Sequence, residues 1–287
     1  MTNLRLRLIL IYGVICVTSS SFIIRLAEQK PYSLAFTRVL LTGLIASIIL
    51  RKFSLTDYKM DFRDKVKIFI AGFALATHFG WWFESLDYLP IGTSLSLTNT
   101  APVWLAFLLY FAYDEKINRR QWMAISLVII GCIILFLDNK NLGDTGLLGL
   151  TLALGSAIGF AIYLVMARNM VSKIGLWQYF GMVNLCAAFV FVPWIIFNSQ
   201  IYYVFTVEIW FWGVILALVP GISGHAVYNW AMSKINPIEV GLVTLAEPIL
   251  GLILAWFIFA EVLSFYQIIG ISILLSAILI SINSKSQ

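Results

Sequence analysis

The hydrophobic residues of this chain fall into long apolar runs that are separated by short polar segments. Ten of these runs approach the roughly 20 residues that a helix needs to cross a lipid bilayer. We therefore predict an all-α membrane protein with ten transmembrane helices. They cover residues 8–26, 33–50, 68–86, 93–113, 122–137, 146–166, 176–197, 208–232, 238–260 and 265–282.

The polar segments leave no room for a second kind of domain. Apart from residues 51–67, they are too short to fold alone. Hydrophobic residues make up 61% of the chain and charged residues 11%, whereas about a quarter of a soluble protein is charged. We expect the lipid bilayer as a partner and no nucleic acid.

The net charge of +5 is explained first by membrane orientation, because cytoplasmic loops carry an excess of Lys and Arg. With both termini in the cytoplasm, all but four of the 19 Lys and Arg residues lie on the cytoplasmic side. The exceptions are Arg25, Lys30, Arg38 and Lys140. We predict a multi-pass protein of a cell (inner) membrane with both termini cytoplasmic.

The N-terminus superficially resembles a cleavable signal peptide, with Arg5 and Arg7 before an apolar run. We interpret it as a retained first span, because its loss would leave nine helices and break the repeat described next. Three cysteines stand singly in apolar runs, a pattern that favours neither a disulfide nor a metal site. We expect no metal and no cofactor.

Two segments of the chain repeat the same landmarks. They are "HFGWWFESLDYLPIGTSLSLTNTAPVWLAFLLYFAYDE" at 78–115 and "HAVYNWAMSKINPIEVGLVTLAEPILGLILAWFIFAE" at 225–261. The histidines, two prolines and the final glutamate of one segment match those of the other. The matched pairs are His78 and His225, Pro90 and Pro237, Pro102 and Pro248, and Glu115 and Glu261. We therefore predict two five-helix repeats, covering residues 1–140 and 141–287.

An odd number of spans in each repeat requires that the second enter the membrane upside down. Charge supports this inversion, since the loop "DEKINRR" carries three basic residues and its match "AEVLSFY" carries none. Inverted repeats recur in secondary transporters, where the substrate site lies between the halves near the middle of the membrane.

The motifs HF-x-x-W-x-x-SL, AP, EP and GH-x-x-YNWA, with DE and AE after the helices, resemble the EamA-type branch of the drug/metabolite transporter superfamily. The resemblance covers essentially the whole chain and implies ten helices in two inverted repeats. Members carry amino acids, other metabolites or toxic compounds, so the resemblance leaves the substrate open.

Residues three and four apart share one face of a helix. His78, Trp81 and Trp82 would thus form a polar and aromatic ridge on the third span, and the eighth span would repeat it. The predicted substrate-binding residues are His78, Trp81, Trp82, Asn99, His225, Tyr228, Asn229 and Glu247. The alternative is that each histidine bonds a backbone carbonyl in a packed core and that the aromatic rings only fill space.

Glu247 and Pro248 lie near the middle of the ninth span. Proline removes a helical hydrogen bond, so Pro248 and Pro102 are predicted helix breaks with a gating role. A carboxylate inside the bilayer is costly, and the first repeat has Ala101 where the second has Glu247. Glu247 is expected to hold a substrate amino group or to take up a coupling proton. The alternative is a hydrogen-bonded structural acid.

Arg38 lies near the outer end of the second span, where its side chain is expected to reach lipid phosphates; the alternative is a role in binding an anion. Gly155 and Gly159 form a small-residue pair that predicts close helix packing and leaves the oligomeric state open.

The best hypothesis is a secondary active transporter that moves small metabolites by alternating access, with export of amino acids or related compounds implied by the resemblance. The chain contains no Gly-Lys dipeptide and so no Walker A loop to bind ATP. Two alternatives are a membrane-embedded enzyme using His and Glu chemistry and a passive channel. No His-x-x-x-His spacing supports the enzyme.

Overall fold

The computed structural model describes residues 3–53, 59–113, 118–137, 145–232 and 246–282. Throughout these residues the chain is helical, with no strand, which confirms the predicted all-α class. Six helical segments in the described part are long and apolar enough to cross a membrane. They are Leu8–Ala27, Pro31–Ile49, Phe62–Ser85, Gly146–Ala167, Leu176–Phe197 and Val207–Ala231.

Six helices come before residue 138. They are α1 (Asn3–Ala27), α2 (Pro31–Phe53), α3 (Phe62–Ser85), α4 (Ile91–Thr98), α5 (Ala101–Tyr113) and α6 (Arg119–Leu137).

The remaining helices lie between residues 146 and 282. They are α7 (Gly146–Ile174), α8 (Leu176–Phe197), α9 (Val207–Leu216), α10 (Ala226–Met232), α11 (Ala246–Phe259) and α12 (Phe265–Ile282). A short 3₁₀ turn covers Ile201–Phe205, and a π-helical segment, Ala217–His225, joins α9 to α10.

Two of the predicted spans are irregular helices. The fourth is interrupted at Asn99 and Thr100, between α4 and α5, two residues before a proline that has no N–H to continue the helical ladder. The eighth widens into the π-helical segment, which contains Pro220, Gly221 and Gly224. Such departures from α-helical geometry occur frequently at functional sites. The first half of the predicted ninth span lies outside the described residues.

The centre of the bundle is formed by α3, which packs along α7 and α8. The α3–α7 crossing is tight, because a Cβ atom on Gly159 would lie 2.9 Å from the Ala74 carbonyl oxygen and 3.1 Å from the His78 nitrogen. On the other side, α1 packs against the π-helical segment and α11. In addition, α2 packs along α8, and α6 packs along α12.

One end of the bundle is held together by Arg25, at the end of α1. Its Nη1 lies 2.9 Å from Oε1 of Glu261, and its Nη2 donates to the carbonyls of Leu86 and Leu89, each at 2.8 Å. Oε2 of Glu261 accepts from the backbone N–H of Ile91 at 2.8 Å. We call these five residues the Arg25 network. It joins the C-terminal ends of α1, α3 and α11 to the start of α4.

The direction of α7 follows from the same end of the molecule. Gly149, in the first turn of α7, lies against Tyr88 and Leu89. Thus α1 runs toward the end that carries the Arg25 network, and α7 runs away from it.

Candidate substrate site

Aromatic rings from α3, α7 and the π-helical segment meet in the middle of the bundle. The ring of His78 stacks 4.7 Å from that of Phe160, and Phe79 makes an edge contact with His225 at 5.5 Å. Phe160 also contacts His225, at 6.2 Å. The two matched histidines therefore lie on opposite sides of one aromatic cluster.

His78 is bonded to α7. Its Nδ1 lies 3.1 Å from the Ser156 carbonyl oxygen and 2.9 Å from Ser156 Oγ, and that hydroxyl donates to the His78 carbonyl at 2.9 Å. Because a carbonyl oxygen can only accept, this geometry assigns a proton to Nδ1. The contact is the packed-core alternative that the sequence left open for a histidine.

His225 has a different environment. It is the last residue of the π-helical segment and is 9% exposed. Its Nε2 is buried and has no hydrogen-bond partner in the described part of the chain. Buried polar atoms without a partner are uncommon, since each costs the free energy of its lost hydration.

A small cavity of about 10 Å³ lies beside His225, which is room for about one water molecule. Elements α2, α3, α7, α8 and the π-helical segment form its wall. The lining residues are Arg38, Thr42, Leu75, Phe79, Tyr163, Phe180, Asn184, Gly221 and His225.

Arg38 is the charged residue of that wall. It is 1% exposed, its guanidinium lies 4.0 Å from the centre of the Phe79 ring, and its Nη1 donates to Ser20 Oγ at 3.0 Å. The prediction that Arg38 reaches lipid phosphates is therefore wrong. Its side chain points into the bundle, where the guanidinium contacts Ser20 and the face of the Phe79 ring.

Glu247 is also buried, at 6% exposure, in the first turn of α11. The Tyr228 hydroxyl donates to its Oε1 at 2.7 Å, and the Asn99 side chain lies close by. Three of the predicted residues are thus brought together, from the interruption between α4 and α5, from α10 and from α11. No cation pairs with Glu247 within the ranges that the structure covers.

The other predicted residues make separate contacts. The ring of Trp81 lies over Gly155 of α7, whereas Trp82 is buried with its indole N–H unpaired among described residues. Asn229 donates to the Tyr163 hydroxyl and to the His225 carbonyl, each at 3.0 Å.

The two prolines lie at helix beginnings: Pro102 is the second residue of α5 and Pro248 the third of α11. Residues just before α11 are not described, so the predicted break at Pro248 falls partly outside the structure.

Sequence reasoning missed Phe79, Thr42 and Ser156. Phe79 follows His78 directly, so a search for residues three and four apart passed over it. Ser156 lies between Gly155 and Gly159, and this pair of glycines indicates close packing but does not indicate a hydrogen bond from Ser156 to His78. Thr42 lies one turn beyond Arg38 on α2, which is a signal that the spacing rule could have used.

A metal-dependent site receives no support from the described residues, where no group of three His, Cys, Asp or Glu side chains comes together. The polar groups in the core are instead suited to hydrogen bonding and charge pairing with a small polar molecule.

Comparison with known proteins gives consistent results. A sequence model of the EamA-like transporter family matches residues 6–137 and again 147–283. An uncharacterized transporter of Bacillus subtilis, YetK, is 24% identical over 67% of this chain. The match spans 59% of YetK, less than two thirds of its length.

A probable amino-acid metabolite efflux pump of Escherichia coli is 20% identical over 77% of this chain and 78% of its own. The chain also superposes on a solved crystal structure with a TM-score of 0.63. The superposition covers 98% of each of the two chains at 16% sequence identity, which shows a shared fold.

Proposed function

The chain belongs to the EamA-like transporter family and is a multi-pass membrane protein, and from that premise we propose that it is a secondary active transporter working by alternating access. Its cargo is a small metabolite, and the direction that we propose is export. The family and the named relatives are transporters rather than enzymes.

The proposed architecture is ten spans in two inverted repeats, residues 1–140 and 141–287. The helix contacts support it because they fall into a pattern that exchanging the two halves leaves unchanged. The pairs α2 with α8, α4 with α11, and α6 with α12 each join helices of equivalent predicted spans. Likewise, the contact between α3 and α7 in one half has its counterpart in the contact between the π-helical segment and α1. The opposite directions of α1 and α7 add to this support.

The proposed location is a cell inner membrane with both termini in the cytoplasm, which rests on the distribution of Lys and Arg. In that orientation the Arg25 network lies at the outer end of the bundle. Helix ends tied together at the outer side correspond to a state in which the site does not open outward.

The proposed substrates are amino acids or related metabolites. The name of the Escherichia coli relative supports this class. Glu247 is suited to the amino group of such a substrate, or to a coupling proton, because it is a buried carboxylate with one tyrosine donor and no paired cation within the described ranges. Charged groups inside membrane bundles commonly mark substrate or proton pathways.

The observation that carries the proposal is the placement of two buried polar residues beside irregular helices: His225 ends the π-helical segment, and Glu247 lies against Asn99 at the interruption between α4 and α5. Transporters often bind substrates at discontinuous helices, where polar groups are freed near the middle of the membrane. Here Tyr228 lies in α10, directly after the π-helical segment, and its hydrogen bond to Glu247 brings that segment close to the interruption at Asn99.

Flux measurements on Glu247→Gln in proteoliposomes test this proposal. Glutamine has nearly the same shape but neither the charge nor a titrating proton, so we expect a loss of flux or of its dependence on a proton gradient. Glu208→Gln, an exposed carboxylate in the first turn of α9, is the matched control and should transport normally. Normal flux with unchanged proton dependence in Glu247→Gln would remove both roles.

A further inference from the structure

The cavity beside His225 is rich in hydrogen-bonding groups that lack partners. Arg38 Nη2, Thr42 Oγ1 and His225 Nε2 are each buried with no partner in the described residues. All three residues line the same cavity. A single buried polar atom without a partner is found in many proteins. Three such atoms around one cavity indicate that a ligand in the cavity would bond to all of them.

The charge of Arg38 gives that partner its sign. A buried cation is normally paired with an acid, because removing a charge from water remains unfavourable even after the protein relaxes. No acidic residue lines the cavity, and none of the described carboxylates pairs with Arg38. Ser20 and the Phe79 ring contact the guanidinium without neutralising it.

We propose that Arg38, Thr42 and His225 form a binding site for an oxyanion, in which Arg38 Nη2 and the Thr42 hydroxyl donate hydrogen bonds to a carboxylate or phosphate group of the transported molecule. His225 completes the site as a third donor, in the tautomer or charge state that carries a proton on Nε2. The guanidinium forms forked bonds with planar oxyanions, and Leu75, Phe79 and Phe180 form the apolar part of the wall. The helices around the cavity must separate to admit a carboxylate or phosphate group, because the cavity in this state holds about one water molecule.

The site deepens the transport proposal and rests on it only for the statement that the bound molecule is carried. It adds a requirement on the substrate, namely an oxyanion group. Glu247 lies outside this wall, beyond Tyr228, whose ring lies 6.1 Å from that of His225. The amino-group role of Glu247 and the anion role of Arg38 are thus separate and can fail separately.

Thermal melting of the purified, detergent-solubilised protein tests the site with defined probes. L-leucine and L-leucinamide share a side chain and an ammonium group but differ in the carboxylate; succinate and inorganic phosphate separate carboxylate from phosphate recognition. A ligand that binds only the folded state raises the melting temperature. We expect at least one of the three compounds that carry a carboxylate or phosphate to raise it and L-leucinamide to have no effect. A flat response to all three of these compounds, or an equal response to the amide, would overturn the site.

Arg38→Met identifies the residue responsible. We expect the dissociation constant of the responsive anion to rise by about tenfold or more, since a hydrogen bond to a charged group contributes that much to affinity. The ligand-free melting temperature should not fall, because the variant removes an unpaired buried charge. Wild-type anion affinity in Arg38→Met would refute the assignment, as would a lowered ligand-free melting temperature with the anion response intact.

A matched pair on α2 keeps the test valid if Arg38→Met does not fold. Thr42→Val removes the unpaired hydroxyl and should weaken anion binding by roughly threefold to tenfold. Thr37→Val makes the same chemical change on the same helix, where the hydroxyl donates to Leu34 and does not line the cavity. Equal anion affinity in the two variants would contradict the site.

Flux separates this inference from the transport proposal. Anion binding that depends on Arg38, without flux of the bound anion in proteoliposomes, would retain the site and reject transport of that ligand. Flux that is equally fast for L-leucine and L-leucinamide would retain transport and reject the site.

Discussion

His78 and His225 occupy matched positions in the sequence repeat but differ in their hydrogen bonds. Ser156 satisfies His78 through both its hydroxyl and its carbonyl, whereas the Nε2 atom of His225 has no partner among the described residues. The reason lies in the facing helix, since α1 presents Val17 and Cys16 to the π-helical segment where α7 presents Ser156 to α3. The duplicated motif thus has two different environments, and we propose a packing role for His78 and a ligand contact for His225.

The structural role of His78 can be measured through its partner. Ser156→Ala removes the hydroxyl that donates to the His78 carbonyl and leaves a buried acceptor less satisfied, at a cost of about 1 kcal/mol or more. Ser126→Ala is the matched control, because the Ser126 hydroxyl is exposed and bonds within its own helix. We expect thermal melting to show a lower midpoint for Ser156→Ala alone. Equal midpoints for the two variants would mean that the Ser156 bonds contribute nothing.

Helix boundaries show what the apolar pattern can and cannot predict. The predicted bounds 176–197 and 265–282 agree with α8 and α12. The sixth span was predicted to end at 166, but α7 continues to Ile174 through polar residues. Hydropathy identifies the part of a helix that contacts lipid or core, and a helix that extends into water continues beyond that part.

Irregular helices were predicted in part. The predicted helix breaks were Pro102 and Pro248, and the chain leaves α-helical geometry at Asn99 and Thr100, just before Pro102. The irregular segment around Pro220 was not predicted. The sequence did not predict a π-helix or the inward direction of Arg38. Both depend on contacts with neighbouring helices, which the sequence does not reveal. One such contact joins α2 to the π-helical segment, where the Thr42 hydroxyl would lie 2.8 Å from a Cβ atom on Gly221.

The α3–α7 crossing offers a test at the level of whole helices. Gly159→Ala would place a methyl group against the backbone of α3 at Ala74 and His78, and backbone cannot move aside as a side chain can. We expect a loss of about 1–3 kcal/mol in stability, typical of overpacking, and a lower melting temperature.

Gly181→Ala is the control for that crossing, because its new methyl group would lie 3.1 Å from the Ser47 side chain and at ordinary contact distance, 3.5 Å or more, from backbone. A melting temperature for Gly159→Ala that equals or exceeds the control value would show that α3 and α7 can separate without cost. The close packing predicted from Gly155 and Gly159 would then have no energetic importance.

At the scale of the whole molecule, charge is distributed unevenly between the two ends and the core. The Arg25 network gathers four helix termini with one ion pair and backbone bonds. The core instead keeps Arg38 and Glu247 apart, each without an opposite charge among the described residues. In the transport mechanism that we propose, the first is a closure and the second is a site that a substrate completes.

The account depends on the two halves having opposite orientations in the membrane. Cysteines at Arg119 and Val262, in matched loops, can be introduced singly into a protein whose three native cysteines are replaced by serine or alanine. Both positions are exposed. A membrane-impermeant maleimide added to intact cells should label Val262→Cys at once and Arg119→Cys only after the membrane is permeabilised. Equal labelling of both positions from one side of intact cells would contradict the inverted architecture and the shared central site that follows from it.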